Sequence, residues 1–345
     1  MKAITFKPKQ VTKTFLAVLP ERAQDVVVSR FGLGKDPYKK TLESIGEAYG
    51  ITRERVRQIE NFALQAMRKS DAYEKETDAL EELKDLLHGN FGGIGAEEDL
   101  LSHISPQKDV QNHVHLLLVI GDNFNKKRED ANFKHRWVLD EDVSQHVHRA
   151  LHDLYENLSE DEIVVEDEIL NRFESRLKKL SDSYKKQEIL KRWLNISKVI
   201  GQNPLGEWGL ASSPNIRARG ARDYAYLVIR RHGSPLHFSE VAKEITKLFG
   251  RSAHIATCHN ELIKDKERFV LVGRGIYGLA EWGYSSGIVR DVISDILKQE
   301  GRALHKDDLV ERVLKERYVK PNTVLVNLQN RKYFKRDEED HYTLA

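Results

Sequence analysis

The 345-residue sequence predicts a mainly α chain: a helix-turn-helix head followed by tandem small winged-helix (α+β) units. Three observations lead there. A capped helix–glycine–helix pattern lies between Thr41 and Lys69, an aromatic-x-aliphatic tag recurs at domain-sized intervals, and two C-terminal segments repeat one helix–strand–helix pattern. Length allows two or three ordinary domains, or more small ones. Hydrophobic residues at 40% and charged residues at 32% provide for real cores under a heavily charged surface. No apolar run reaches the ~18 residues of a membrane span, and the amino-terminal MKAITFKPKQ has no secretory apolar stretch. The single cysteine, Cys258, excludes a disulfide framework and a cysteine-based zinc site, so the expected setting is reducing and cytoplasmic.

In the head, Thr41 caps a short helix carrying Leu42, Ile45 and Ala48 at helical spacing. Gly50 supplies the corner, and Thr52 caps a second helix running to about Lys69. On that helix Val56, Ile59, Ala63 and Met67 share one face, while Arg53, Glu54, Arg57, Gln58 and Asn61 share the other. The polar face has the chemistry of base edges: Arg binds guanine bidentately, Glu accepts from cytosine N4 and Gln pairs with adenine. Arg53, Glu54 and Gln58 are therefore the expected base-reading set, at the end of the helix that enters a groove first. Arg55 and Arg57 are expected on phosphates, which position without specifying.

The residues Leu19-Pro-Glu-Arg22, Arg30-Phe-Gly-Leu33, Thr41-Leu-Glu43, Gly50-Ile-Thr-Arg-Glu-Arg-Val-Arg-Gln-Ile-Glu60, Ala63-Leu64 and Arg68 carry a resemblance. Over about residues 15–70 the chain resembles region 4 of the sigma-70 family of bacterial transcription initiation factors. The resemblance implies that Arg53, Glu54 and Gln58 face the bases of a −35 promoter element. It implies backbone contacts from Arg57, Arg22 and Arg30, which Thr41 and Arg55 join. The preceding helices would grip the β flap of RNA polymerase, with Val26, Val27, Phe31 and Leu33 as the apolar candidates. Double-stranded DNA and the polymerase core are thus the implied partners, with a nucleoid-associated location and no membrane. Ala23 departs from the family, which usually has Glu there.

Only about fifteen residues precede this module, and no aromatic-rich promoter-melting helix follows, so a self-sufficient sigma factor is not expected. The expected function is a bacterial-type DNA-binding transcription regulator. The alternatives are a polymerase accessory or sigma-antagonist protein docking on the β flap, and a DNA-binding adaptor of a restriction or defence system.

Beyond the head, Trp137-Val-Leu139, Trp208-Gly-Leu210, Tyr277-Gly-Leu279 and Tyr342-Thr-Leu344 are spaced by 71, 69 and 65 residues. Such a tag puts two side chains on one face of a strand, so each is expected to be the last strand of a small unit. Ile229–Ile245 and Leu297–Val313 also align Gly233 with Gly301, Leu236 with Leu304 and His237 with His305. Pro235-Leu-His-Phe-Ser-Glu-Val241 and Arg268-Phe-Val-Leu-Val-Gly273 with Tyr277-Gly-Leu-Ala-Glu-Trp282 resemble the HARE-HTH winged helices. The expected domains are 1–75 (head), 76–140 and 141–215 (winged-helix-like), 216–284 (HARE-HTH) and 285–345 (a diverged second copy). Each is expected to hold its own core, with linkers near 74–78, 140–143, 211–221 and 284–287.

The net charge of +2 hides a segregation. Residues 1–70 carry 14 Lys/Arg against 7 Asp/Glu, and 171–231 carry 14 against 5; 71–110 carry 3 against 11 and 140–170 carry 1 against 11. Basic segments suit a polyanion, so DNA affinity is expected in the head and in 217–231, with the acidic units as spacers.

No catalytic constellation is expected, nor a metal or cofactor, and the chain does not read as an enzyme. Gly32-Leu-Gly-Lys35 lacks the frame of a phosphate-binding loop and reads as a hinge, and Gly89–Gly95 reads as a turn. The pairs His113/His115 and His146/His148 point about 200° apart on helices and cannot share a metal. His237 and His305 are expected to share a structural role, and Cys258 to be a small buried hydrophobe.

Overall fold

A computed structural model of the chain describes residues 4–177, 180–284 and 287–345. The head runs through α1 (Pro8–Leu16), α2 (Glu21–Phe31), α3 (Leu42–Tyr49), α4 (Arg53–Arg68) and the short α5 (Asp71–Lys75). Its boundaries are where the caps put them. The Thr41 hydroxyl accepts from the Ser44 amide at 3.1 Å and the Thr52 hydroxyl from the Arg55 amide at 3.2 Å, each satisfying a first-turn donor. Gly50 ends α3 at φ 63°, a conformation glycine adopts without strain. Gly46 is needed for clearance, since a Cβ there would lie 2.6 Å from the Ile51 carbonyl oxygen where α4 turns back. Val26, Ile45 and Val56 fill the small core of this turn.

From Thr77 onward the described chain follows one path four times: helix, extended strand, two helices, hairpin. The first repeat is α6 (Thr77–Phe91), β1 (Ile94–Ala96), α7 (Glu97–Ile104), α8 (Lys108–Ile120), β2 (Asn125–Lys127) and β3 (Arg136–Val138), with antiparallel order β1-β3-β2. The second is α9 (Glu141–Glu156), α10 (Glu166–Glu174), α11 (Gln187–Leu194), β4 (Ile200–Gln202) and β5 (Trp208–Leu210). Its first strand shrinks to a single bridge between Val164 and Trp208. The third is α12 (Ala221–His232), β6 (Leu236–His237), α13 (Phe238–Phe249), α14 (Ile255–Lys264), β7 (Phe269–Gly273) and β8 (Ile276–Leu279), in the order β6-β8-β7. The fourth is α15 (Val289–Glu300), β9 (Leu304–His305), α16 (Lys306–Glu316), α17 (Pro321–Leu328), β10 (Phe334–Arg336) and β11 (His341–Leu344), in the order β10-β11-β9.

The four aromatic tags occupy one position. Trp137, Trp208, Tyr277 and Tyr342 each sit on the central strand, opposite Gly95, Val164, Leu236 and Leu304 on one side. On the other side they face Lys126, Gln202, Leu271 and Arg336. His237 and His305 also share a role: each imidazole Nδ1 accepts the amide two residues on, from Ser239 and Asp307, capping α13 and α16.

Two compact units divide the chain: residues up to 202 with 207–212, and 203–206 with 213–345. In the first, the expectation of one core per domain fails. Phe15, Val27, Phe31, Ala63 and Met67 of the head belong to the same buried cluster as Leu83, Leu87, Leu116, Leu117 and Trp137 of the first repeat. Strands β1 and β3 of that repeat are buried on both faces, so Trp137 feeds this cluster while Ile94, Ala96 and Val138 pack with Val147, Leu151, Phe173 and Trp193 of the second repeat. Residues 74–78 and 140–143 are consequently helix ends against shared cores, not linkers: α6 starts directly after Glu76, and the Asp140 carboxylate caps α9. In the second unit the fourth repeat keeps a core to itself, from Val292 to Tyr342.

The segment 211–220 is only in part the exposed linker expected. The unit boundary falls here, but Ser213, Asn215 and Ile216 are buried, and the Asn203 amide donates to the Asn215 carbonyl at 3.3 Å. Ser213 and Asn215 are thus held in a turn, while Ser212, Pro214, Arg217, Arg219 and Gly220 stay exposed. The expected linker at 284–287 includes Ser285 and Ser286, which lie outside the described residues.

Candidate DNA-reading surface

Helix α4 buries Val56, Ala63 and Met67 and half-buries Ile59, which leaves Arg53, Glu54, Arg55, Arg57, Gln58 and Asn61 exposed. The base-reading candidates thus sit together at the exposed start of α4, and two of them are held by i,i+3 partners. Arg57 donates to both Glu54 oxygens, at 2.9 and 2.7 Å, and Arg55 donates to the Gln58 amide oxygen at 3.0 Å. The Arg57 hydrogen bonds pull the Glu54 carboxyl below its usual range, so it is an ionised acceptor at neutral pH. Both pairs are fully exposed, and each can open to a base or a phosphate.

The expected backbone contacts divide. Arg22 is exposed, with its guanidinium 6.0 Å from the Tyr49 ring centre, and the Tyr49 hydroxyl reaches Asp25 at 3.3 Å. Arg30 is committed within the head, to Glu60 at 3.4 Å and the Lys40 carbonyl at 3.0 Å. Its role here is to tie α2 to α4 and to the segment entering α3. The exposed Thr41 hydroxyl is engaged as the α3 cap.

The apolar set assigned to a polymerase contact does not form a surface. Val26 is 0% exposed inside the small core of the turn, and Val27 and Phe31 are 0% and 5% exposed in the core shared with the first repeat. Leu33 packs half-buried against that same core, and the Phe31 ring lies 5.6 Å from the ring of His115 on α8. The physical reason is that α8 supplies in cis the apolar partner these side chains need.

Sequence reasoning missed the anchors of this docking. Asn112 donates to the Gly32 and Pro37 carbonyls at 3.0 and 2.8 Å. The Arg68 guanidinium, at the end of α4, donates to the Ile120 and Val119 carbonyls at 2.9 and 2.5 Å, a cation on the carboxyl end of α8. The signal was present in Val114 and Leu116–Ile120, which put apolar residues on every face of one helix stretch, since such a stretch must be buried.

Neither His113/His115 nor His146/His148 converges on a common point. His113 is hydrogen-bonded to Thr12 at 2.6 Å, while His115 faces Glu97 at 3.5 Å. His146 bonds its own helix at Asp142, and His148 accepts from Arg136 at 2.9 Å. Among the described residues, His152, Asp153 and Glu156 bring three ligand-type atoms within 4.8 Å, all on exposed surface. Burial pushes the Cys258 thiol up to about 11, so at neutral pH it is protonated. No helix among the described residues is long and apolar enough to cross a membrane.

With this geometry in place, comparison with known proteins is specific for one segment. Residues 15–69 match the family Sigma-70, region 4. The RNA polymerase sigma factor RpoS of Coxiella burnetii is 56% identical over 54 residues, 16% of this chain and 15% of that one. The RNA polymerase sigma factor SigA of a Bacillus species is 41% identical over 73 residues, 21% of this chain and 19% of that one. SigA of Listeria monocytogenes is 40% identical over 73 residues, with the same shares. The chain therefore spans less than a fifth of the length of these curated relatives. The matched segment ends one residue past α4 and includes every DNA contact expected in the head, but not the basic stretch 217–231.

Proposed function

We propose that the protein is a non-enzymatic, bacterial-type DNA-binding transcription regulator. In this reading α4 recognises a −35-like sequence through Arg53, Glu54 and Gln58, with Arg55, Arg57 and Arg22 on the backbone. Residues 77–344 act as a scaffold of four winged-helix units, the third of HARE-HTH type, and not as the promoter-opening body of a sigma factor. Such a protein works in the cytoplasm, on the nucleoid. The observation that carries the reading is the sigma-70 region 4 match laid over an α4 whose three base-reading side chains are all exposed. Docking on the β flap draws less support, because Val26, Val27 and Phe31 are buried.

The test is a binding-site profile of the full chain. Glu54→Ala should relax preference at one base pair, costing about 1–3 kcal/mol against the cognate base. Arg57→Ala should weaken all sequences alike and flatten the salt dependence. A site profile unchanged by Glu54→Ala would sink direct readout by α4.

A further inference from the structure

A pocket of about 280 Å³ lies where the segment entering α3 meets the first repeat. Lys39 lines it from the head, Lys108 from the start of α8, and Lys134 from the β2–β3 connection. Three carboxylates and His135 also line it, and two of the carboxylates are already matched. Glu97 is held by Lys126 at 2.5 Å and by the Trp137 indole N–H at 3.0 Å. Glu129 is held by Lys198 at 2.6 Å, with His135 at 3.8 Å. Lys108 donates only to the amide oxygen of Gln111, at 3.4 Å. Among the described residues, the side chains of Lys39, Lys134 and Glu98 make no hydrogen bond or ion pair. Three lysines thus line the pocket with Glu98 as the one carboxylate that lacks a partner among the described residues.

Lys39 is perturbed by this setting, chiefly through burial. Burial, then the Lys126, Lys108 and Arg30 cations, push its ammonium down to about 8, against the pull of Glu97. Its position is fixed by neighbours: the Lys40 amide bonds the Ser29 carbonyl at 3.0 Å, and Arg30 holds the Lys40 carbonyl. Asn112 pins Pro37 on the other side. Lys39 therefore stands two residues before the cap of α3, in register with the helix-turn-helix.

We infer that this pocket is a phosphate-binding site in which Lys39, Lys108 and Lys134 hold a phosphodiester of the duplex flanking the bases read by α4. The inference rests on the DNA-reading function proposed above and extends the footprint into the first repeat, whose acidic composition argued against it. Lysines are suited to this as point charges, and an anion relieves the crowding among them. A soluble phosphorylated molecule has the same chemistry, so the test has two arms.

In the first arm, the full chain carrying Lys39→Met and Lys134→Met is titrated with duplex DNA over a range of salt. Affinity should fall about tenfold for every sequence, and the slope of log K against log salt should lose roughly 0.9 per phosphate contact removed. The base profile and the unfolding temperature should not change, because neither side chain makes a hydrogen bond or ion pair among the described residues. Glu98→Gln should shift affinity the other way. An unchanged salt slope in the double variant overturns the DNA assignment. In the second arm, pyrophosphate is titrated into the DNA-free chain. Binding that the double variant abolishes, with the DNA slope unchanged, assigns the pocket to a soluble ligand; no binding and no slope change overturn a phosphate site altogether. Failure of readout by α4 is a separate result: Glu54→Ala then leaves the profile unchanged whatever the lysine variants do.

Discussion

The upstream and downstream units use the same element in opposite ways. In the first two repeats the helix before the hairpin faces inward. Nearly every residue of α8 from Gln111 to Ile120 is buried, with the head on one flank, and α11 sends Trp193 into the first repeat, where its indole donates to the Phe91 carbonyl at 2.8 Å. In the last two repeats the corresponding helices are open: α14 leaves Ile255 and Ile263 about half exposed, and α17 leaves Val326 57% exposed. The lesson is that topology does not settle what a helix is for. One path through space gives packing elements upstream and free surface downstream, and only the side-chain pattern of each helix separates the two.

The most severe way to break this comparison is to cut the chain. Residues 1–75 alone lose the partners of Phe15, Val27, Phe31 and Met67 and should not unfold cooperatively, whereas 213–345 should. A sharp thermal transition from the 1–75 fragment, at the temperature of the full chain, would refute the shared core. Next in size is Phe31→Ala, which should cost about 3–5 kcal/mol as a buried aromatic truncation. Calorimetry should place the loss in the upstream transition and leave the downstream one unmoved.

Acid should act on the same half. Burial, reinforced by Arg136, pushes His148 down to about 4, and burial also lowers His103, His113 and His115, with nearby Arg192, Lys9 and Lys39 opposing their charging. Folding therefore favours the neutral rings. Above the ordinary histidine range this has no effect on stability. As pH falls below about 6.5 the unfolded chain takes up protons that the folded chain refuses, and stability declines until the folded rings titrate, near 4 for His148. An upstream transition that holds its temperature from pH 7.5 to 5 would contradict these burials. The smallest effect belongs downstream: His305→Ala removes one helix cap and should cost about 1 kcal/mol, confined to the second transition.

What was legible in the sequence was local. Thr41, Gly50 and Thr52 located two helices because capping and left-handed backbone are short-range demands, and the exposed set on α4 followed from helical period alone. The aromatic tags located four central strands, since a side chain that must lie under a small sheet recurs at a fixed place in the repeat. What escaped was pairing between units. Nothing in Val27 or Phe31 says whether its partner is another protein or a helix some eighty residues on. A strand of three residues is too short for its pattern to reveal that both faces are covered, as in Arg136-Trp-Val138. Arg30 and Arg68 likewise read as surface cations until their acceptors, Glu60 and the end of α8, are in place.

The bond from Arg68 to the last turn of α8 also sets an entropic cost. A recognition helix on a supple tether surrenders orientational freedom each time it settles on a duplex, and that loss is subtracted from its affinity. Here Arg68 and Asn112 fix the direction of α4 against the first repeat when the chain folds. Ordering is complete on folding, so under the proposed DNA-reading function a modest set of contacts on α4 yields more net binding than the same helix would in isolation.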